Sequence, residues 1–412
     1  MSLEEKRRES FNPTLNSTQE MEKEKFPLPA PRTKSEQAVS RDRLEDYFKE
    51  RPKNRGVLTD AELFWVELQP WLKHRGYALR PRYQPGWRPS WRGTKKRASD
   101  CEDGEPIGYP FLLDAARISD GKVVMLKCIS KTLHPHEASI SALLSSPPLR
   151  LDPTNHCVPV YDVLHPPGHE DFVIIVMAFC RQFDNPRFDT VGEAVEFFRQ
   201  VFEGLRFMHR NGIAHRDCID LNIMMDATPL YDHPYHPRRP ELRRDFKGKA
   251  KAHTRTERPV TYYLIDFGLS RRYDLPFERP LEEPILGGDK TVPEFQNISG
   301  PCDPFPTDVY YLGNMVRRTF LEVSGCDDLA KSARLTGGCR AARSTAESVA
   351  SSSWRPSSQR CKLSTWKFRS RLKKEGDCAP HSAYLSVVHW RRRVGYMVRG
   401  VPALPRPPVR EE

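Results

Sequence analysis

Two short strings in this 412-residue chain concentrate oxygen-bearing side chains at close spacing. His215-Arg216-Asp217-Cys218-Ile219-Asp220-Leu221-Asn222 sets a carboxylate and a carboxamide five positions apart, and Tyr263-Leu264-Ile265-Asp266-Phe267-Gly268 closes an apolar run on an acid. Upstream, Lys127 ends the run Val124-Met125-Leu126-Lys127, and Glu137 opens Glu137-Ala138-Ser139-Ile140. These residue types suit phosphoryl transfer, which requires a carboxylate near the attacking hydroxyl, hard oxygen ligands for magnesium and a fixed cation on the nucleotide phosphates. Asp217 is the candidate base, Asn222 and Asp266 are the candidate magnesium ligands, and Lys127 is the candidate cation, its amine held by Glu137. Taken alone, Lys127 reads equally as an exposed strand lysine, and Glu137 as an acid favoured by a helix dipole.

Elements able to position these groups can be read around them. Phe111 to Ile118 and Lys122 to Ile129 are strand-like runs joined by Ser119-Asp120-Gly121, the signature of a hairpin that carries Lys127 on its second strand. His136 to Leu144 has helical spacing, and Val158 to Val163 and Phe172 to Met177 are two further short strands. Val191 to His209 is the strongest amphipathic helix, with Val195, Phe198, Val201, Phe202, Leu205 and Met208 as its stripe and Asn211-Gly212 as its end. Before all of these, Thr59-Asp60-Ala61-Glu62 is a capping box, so a short helix follows with Leu63, Phe64, Leu68, Trp71 and Leu72 as its apolar face, and Pro70 breaks or restarts it. Strands first and helices later indicate an α+β domain.

His215 to Asn222 has the form H-R-D-x-x-x-x-N, and Asp266-Phe267-Gly268 is D-F-G; in this order after a long helix, the pair resembles the catalytic core of the eukaryotic-type protein kinases. Val292-Pro293-Glu294 resembles the A-P-E motif, and Asp308 to Gly313 resembles the start of the central large-lobe helix. The wording around these motifs is similar to a group of kinase-domain proteins from basidiomycete fungi. The resemblance covers about residues 104–324 and implies a bilobal fold with a small, mainly β N-lobe (104–180) and a larger helical C-lobe (181–324). It further implies ATP and Mg2+ as cofactors and a protein substrate. Met177 would be the gatekeeper, Ala178 and Cys180 would meet the adenine edge, and Met224 would lie beneath the base; each also reads as ordinary apolar packing. His215 and Phe267 would pack in the interior, and Arg216 would face the activation segment, pairing with one of Glu278, Glu282, Glu283 or Asp289.

The sequence departs from that family in several places. Where G-x-G-x-x-G is expected, it has Gly104-Glu105-Pro106-Ile107-Gly108-Tyr109-Pro110, which cannot fold the usual backbone cradle over phosphates. Met125 takes the place of a small Ala at the pocket roof, and Ile219 that of a Lys in the catalytic loop, leaving serine/threonine specificity favoured on base rate only. Residues 227–259 form an inserted loop with nine Lys+Arg against four Asp+Glu. Glu294 lacks the expected arginine partner because nothing after Phe320 continues the helical pattern, so the C-lobe reads as incomplete.

Composition bounds the alternatives. Of 66 Lys+Arg and 54 Asp+Glu, residues 325–412 hold 18 and seven, so the formal charge of +12 belongs almost wholly to that part and the remainder is close to neutral. Residues 1–58 and 325–412 read as disordered, and 59–103 as an extension packed on the main domain. No apolar run approaches a membrane span, no secretory leader is apparent at Met1 to Phe26, and ten Cys without a C-x-x-C pair fit reduced thiols in a cytoplasmic or nuclear protein without zinc. Two functions compete, a protein kinase and a pseudokinase interaction module; nucleic-acid binding through the basic tail is supported by charge alone and is the least favoured.

Overall fold

The computed structural model describes residues 55–274, 280–285, 288–297 and 300–321, together with Tyr396 and Arg399. Helix α1 (Asp60–His74) begins with the capping box read from the sequence: the Thr59 hydroxyl accepts from the Glu62 amide at 3.3 Å, and the Thr59 amide donates to Glu62 Oε2 at 3.0 Å. The helix runs through Pro70 instead of breaking there. A helix-interior proline costs about 3 kcal/mol. Trp65, Leu68 and Leu72 are all buried against the adjoining sheet, and at about 1.5–3 kcal/mol per large side chain their burial outweighs that cost. The buried face is also rotated from the expected one, with Trp65 fully enclosed and Leu63 50% exposed.

Strands β1 (Tyr77–Leu79), β2 (Leu112–Arg117), β3 (Val123–Ser130), β4 (Val160–Leu164) and β5 (Phe172–Ala178) form one antiparallel sheet in the order β1-β2-β3-β5-β4. The expected hairpin is β2–β3, turned by Gly121 at φ 70°. Residues 59–103 supply both α1 and edge strand β1, so this stretch is continuous with the sheet. Alternation along β3 sends Val124 and Leu126 into the cluster beneath α1, and Met125, Lys127 and Ile129 to the other face.

Helix α2 (Glu137–Leu144) follows, then β6 (Arg181–Gln182) and the 20-residue helix α3 (Val191–Arg210). Ala194, Phe197, Val201, Leu205 and Met208 line the buried side of α3, whereas Val195, Phe198 and Phe202 of the expected stripe sit at its half-buried flank. Phe197 centres the second cluster, stacked on Phe183 at 4.6 Å and edge-on to Tyr262 at 4.9 Å. Strand β7 (Ile213–Ala214) pairs with β10 (Arg271–Arg272), and β8 (Ile223–Asp226) lies between β6 and β9 (Thr261–Leu264). Helices α4 (Pro293–Asn297) and α5 (Pro304–Val316) complete the mixed helix-and-sheet architecture, α5 running into a π-helical turn over Arg317–Leu321.

No described helix is long and apolar enough to cross a membrane. The expectations for residues 1–54 and most of 325–412 fall outside the described residues. Of the latter stretch, Tyr396 is buried, with its hydroxyl 2.7 Å from Thr254 Oγ1 and 3.1 Å from Asp189 Oδ2, and Arg399 pairs with Glu257 at 2.8 Å.

Candidate active site

The loop between β7 and β8 carries Asp217 and Asn222. Its shape is set by a residue some 90 positions away: the fully buried Asp308 on α5 accepts from the backbone amides of His215 (2.7 Å) and Arg216 (2.6 Å) and lies 3.0 Å from His209 Nε2. Those contacts hold Arg216 at φ 68°, a conformation that costs a non-glycine residue about 1–3 kcal/mol and persists only where the surroundings impose it. His215 is enclosed, its Nε2 3.1 Å from the Ile265 carbonyl and its ring 5.5 Å from Phe267. The side chain of Cys218 is wholly buried, and burial drives its thiol pKa well above the ordinary value.

Asn222 Nδ2 donates to the Asp217 backbone oxygen at 3.0 Å and to Asp217 Oδ2 at 2.9 Å, which fixes the carboxylate and the carboxamide against each other. Asp217 Oδ1 is buried without a hydrogen-bond partner among the described residues and lies 3.1 Å from where a side chain on Gly288 would begin. Asp266 leaves β9 at φ 64° and caps the turn that follows. Its Oδ1 accepts from Lys127 Nζ at 2.9 Å, and Lys127 Nζ also bonds Glu137 Oε1 at the start of α2. Lys127, Glu137 and Asp266 therefore form one chain of contacts, and Asp217 with Asn222 forms a second unit. Lys127 is 9% exposed, which is not the condition of an ordinary surface strand lysine.

The two aspartates have different electrostatic settings. Burial raises the Asp217 pKa; His215 and Asn222 pull it down and Asp266 and Asp308 push it up, the net effect being upward. Burial also acts to raise Asp266, but the Lys127 ammonium and the Gly268 amide outweigh it and hold that carboxyl below the ordinary value. Burial would lower the Lys127 pKa, yet Glu137 and Asp266 more than offset it and keep the amine charged. Asn222 Oδ1 and Asp266 Oδ2 carry no hydrogen bond among the described residues, so two hard oxygens remain for a magnesium ion, a donor set that fits that cation.

The other sequence-derived positions fall on β5 and β8 and just before β6. Met177 on β5 pairs with Met125 on β3, and Ala178 with Val124; the Ala178 amide donates to the Pro159 carbonyl at 2.9 Å. Cys180 precedes β6, and Met224 on β8 lies between Gln182 and Tyr263. Among the acids considered for Arg216, Glu282 pairs with it at 3.4 Å and Glu283 contributes its backbone carbonyl at 2.7 Å. Asp289 instead bonds Asn314 and Thr291, and Glu278 is outside the described residues. Glu294 lies in the first turn of α4.

Sequence reasoning missed what replaces the glycine-rich loop. Residues 80–111 join β1 to β2, and Gly104 packs so tightly that an added Cβ would lie 1.8 Å from the Ala98 carbonyl oxygen. Arg82, fully buried, pairs with the equally buried Glu62 at 2.7 Å, and Arg80 Nε pairs with Asp114 on β2 at 3.0 Å. The wide separation of these partners left no local pattern to find.

No family model matches the chain. One curated protein, NUAK family SNF1-like kinase 2 of Rattus norvegicus, is 30% identical over 129 residues, covering 27% of this chain and 19% of that protein. The matched part thus spans about a fifth of the relative's length. This partial likeness supports a protein kinase domain and suggests phosphotransferase chemistry.

Proposed function

We propose that the chain is an ATP- and Mg2+-dependent protein kinase that transfers the γ-phosphoryl group to a protein hydroxyl, serine or threonine by preference. The observation that carries this reading is the convergence of the Lys127–Glu137–Asp266 contacts with the Asp217–Asn222 pair. Lys127 would bear on the α and β phosphates, with Glu137 restricting its amine. Asn222 Oδ1 and Asp266 Oδ2 would hold magnesium, which when bound neutralises charge on the transferring phosphate. Asp217 would accept the proton of the attacking hydroxyl, and its raised pKa brings it closer to working pH than an ordinary carboxylate. Met177, Ala178 and Cys180 would border the adenine and Met224 would lie under it. In this reading the five-stranded sheet is the core of the N-lobe, residues 59–103 being part of it, and the α3-centred cluster is the C-lobe. The setting would be cytoplasmic or nuclear, among kinases of the basidiomycete kind.

The Arg216–Glu282 pair supports an activation segment ordered by a built-in carboxylate, so activity should survive exhaustive phosphatase treatment. A second reading, a pseudokinase acting as an interaction module, is favoured by one observation: the 80–111 segment offers no glycine cradle. Transfer of radiolabel from ATP with magnesium decides between them. Asp217→Asn should reduce transfer by about 10²–10⁴-fold; equal signal from both proteins would sink the enzyme reading, and thermal shift with ATP, with and without magnesium, would then separate a nucleotide-binding module from a nucleotide-free one.

A further inference from the structure

The segment inserted between β8 and β9 contacts both the residues on either side of Cys180 and residues 102–108. It leaves β8 at Asp226, two residues beyond Met224. Next it packs on the residues flanking Cys180: the Tyr231 hydroxyl accepts from Arg181 Nη1 at 2.5 Å, the Arg181 guanidinium lies 5.0 Å from the Tyr235 ring, and that ring is 5.5 Å from Phe179. It then reaches the segment that replaces the glycine-rich loop. The fully buried His236 places Nε2 3.2 Å from Glu102 Oε1, an oxygen that Arg80 Nη1 also approaches at 3.3 Å. Arg239 Nη1 is 3.2 Å from Glu105 Oε1, and the Arg238 guanidinium occupies the place of a side chain at Gly108, 2.1 Å from the Cβ that any other residue would have. Arg80 ties this segment to the sheet through the Glu105 carbonyl (3.0 Å) and Asp114.

We propose that His236, Arg238 and Arg239 are positioning residues for a nucleoside triphosphate: the inserted segment is a strap from floor to roof that holds residues 102–108 over the cleft. The proposal rests on the nucleotide reading above and adds to it a part that a glycine-rich loop does not need. Such a loop closes on phosphates with its own amides, whereas here the roof contains Pro106, and its location depends in part on charges supplied from beyond β8. Removing one of those charges should therefore change how long a nucleotide stays.

The test is a double-mutant cycle in the full chain with Glu105→Ala, Arg239→Ala and their combination. Two readouts are used: the dissociation rate of a fluorescent N-methylanthraniloyl ATP, and backbone hydrogen exchange over residues 102–111. Arg239→Ala should speed dissociation by about fivefold, with faster exchange; Glu105→Ala, which also loses its 3.1 Å pair with Arg55, should do so by at least as much, and the double should be no worse than Glu105→Ala. Arg239→Lys should recover part of the loss, because a point charge still reaches Glu105. Additive effects, or unchanged dissociation and exchange in Arg239→Ala, would overturn the strap. A parent chain that does not bind the probe would overturn the nucleotide role, and coupled exchange in the cycle would in that event still uphold the mechanical hold on the roof.

Discussion

The floor and the roof of the candidate site are built on opposite plans. At the floor, Asp308 and Asn222 fix the loop between β7 and β8 largely through its backbone, so a few side chains at motif spacing define the geometry. At the roof, Arg80, Arg82, Glu62, Glu102 and Glu105 hold an irregular segment through side-chain ion pairs whose partners come from α1, β2 and the inserted segment. Backbone capture concentrates information in a short string. Ion pairs across long separations disperse it.

The comparison breaks first if Asp308 is expendable. Asp308→Ala strands two backbone amides at His215 and Arg216 and should cost about 3–5 kcal/mol in denaturant unfolding; a loss below about 1 kcal/mol would show that the floor does not hang on this residue. The roof has its own test in the Glu62–Arg82 pair, which is fully enclosed. Arg82→Met alone leaves a buried carboxylate unpaired and should cost about 3 kcal/mol or more, whereas the double variant Glu62→Leu/Arg82→Met should recover most of that loss, since replacing both partners of a buried pair is often neutral.

Acid should loosen the roof by a smaller amount. Burial favours the neutral forms of Glu62 and Glu102, but bonds from Arg82 and from His236 and Arg80 respectively prevail and hold both carboxyls below 4.5. A depressed folded-state pKa contributes stability that is complete above the unfolded value and disappears as pH falls through the folded one. Melting temperature should therefore drop on titration below about pH 4.5, and the drop should shrink in Glu102→Gln. At the bottom of the scale stands the exposed Arg97–Asp100 pair, where Arg97→Ala should leave both melting temperature and nucleotide binding unchanged.

Legibility in the sequence followed the same division. Asp217 and Asn222 stand out as candidates because they lie five positions apart, Asp266 because it closes a short apolar run, and the β2–β3 hairpin because Gly121 and alternation are local signals. The α3 stripe was displaced because Val195, Phe198 and Phe202 are apolar without being central, while the polar Gln200 is buried through bonds to Val260 and Tyr262. Pro70 misled because a local penalty was weighed without the burial of Trp65 beside it. The strap was invisible because no rule of spacing links His236 to Glu102, 134 positions away.

Cys218, directly after the candidate base, bears on redox chemistry. Only a thiolate alkylates or oxidises readily, and this thiol is both enclosed and held protonated. The loop between β7 and β8 should therefore be inert to mild peroxide and to thiol-directed reagents while the fold is intact. Labelling at Cys218 would report on opening of the floor and on little else.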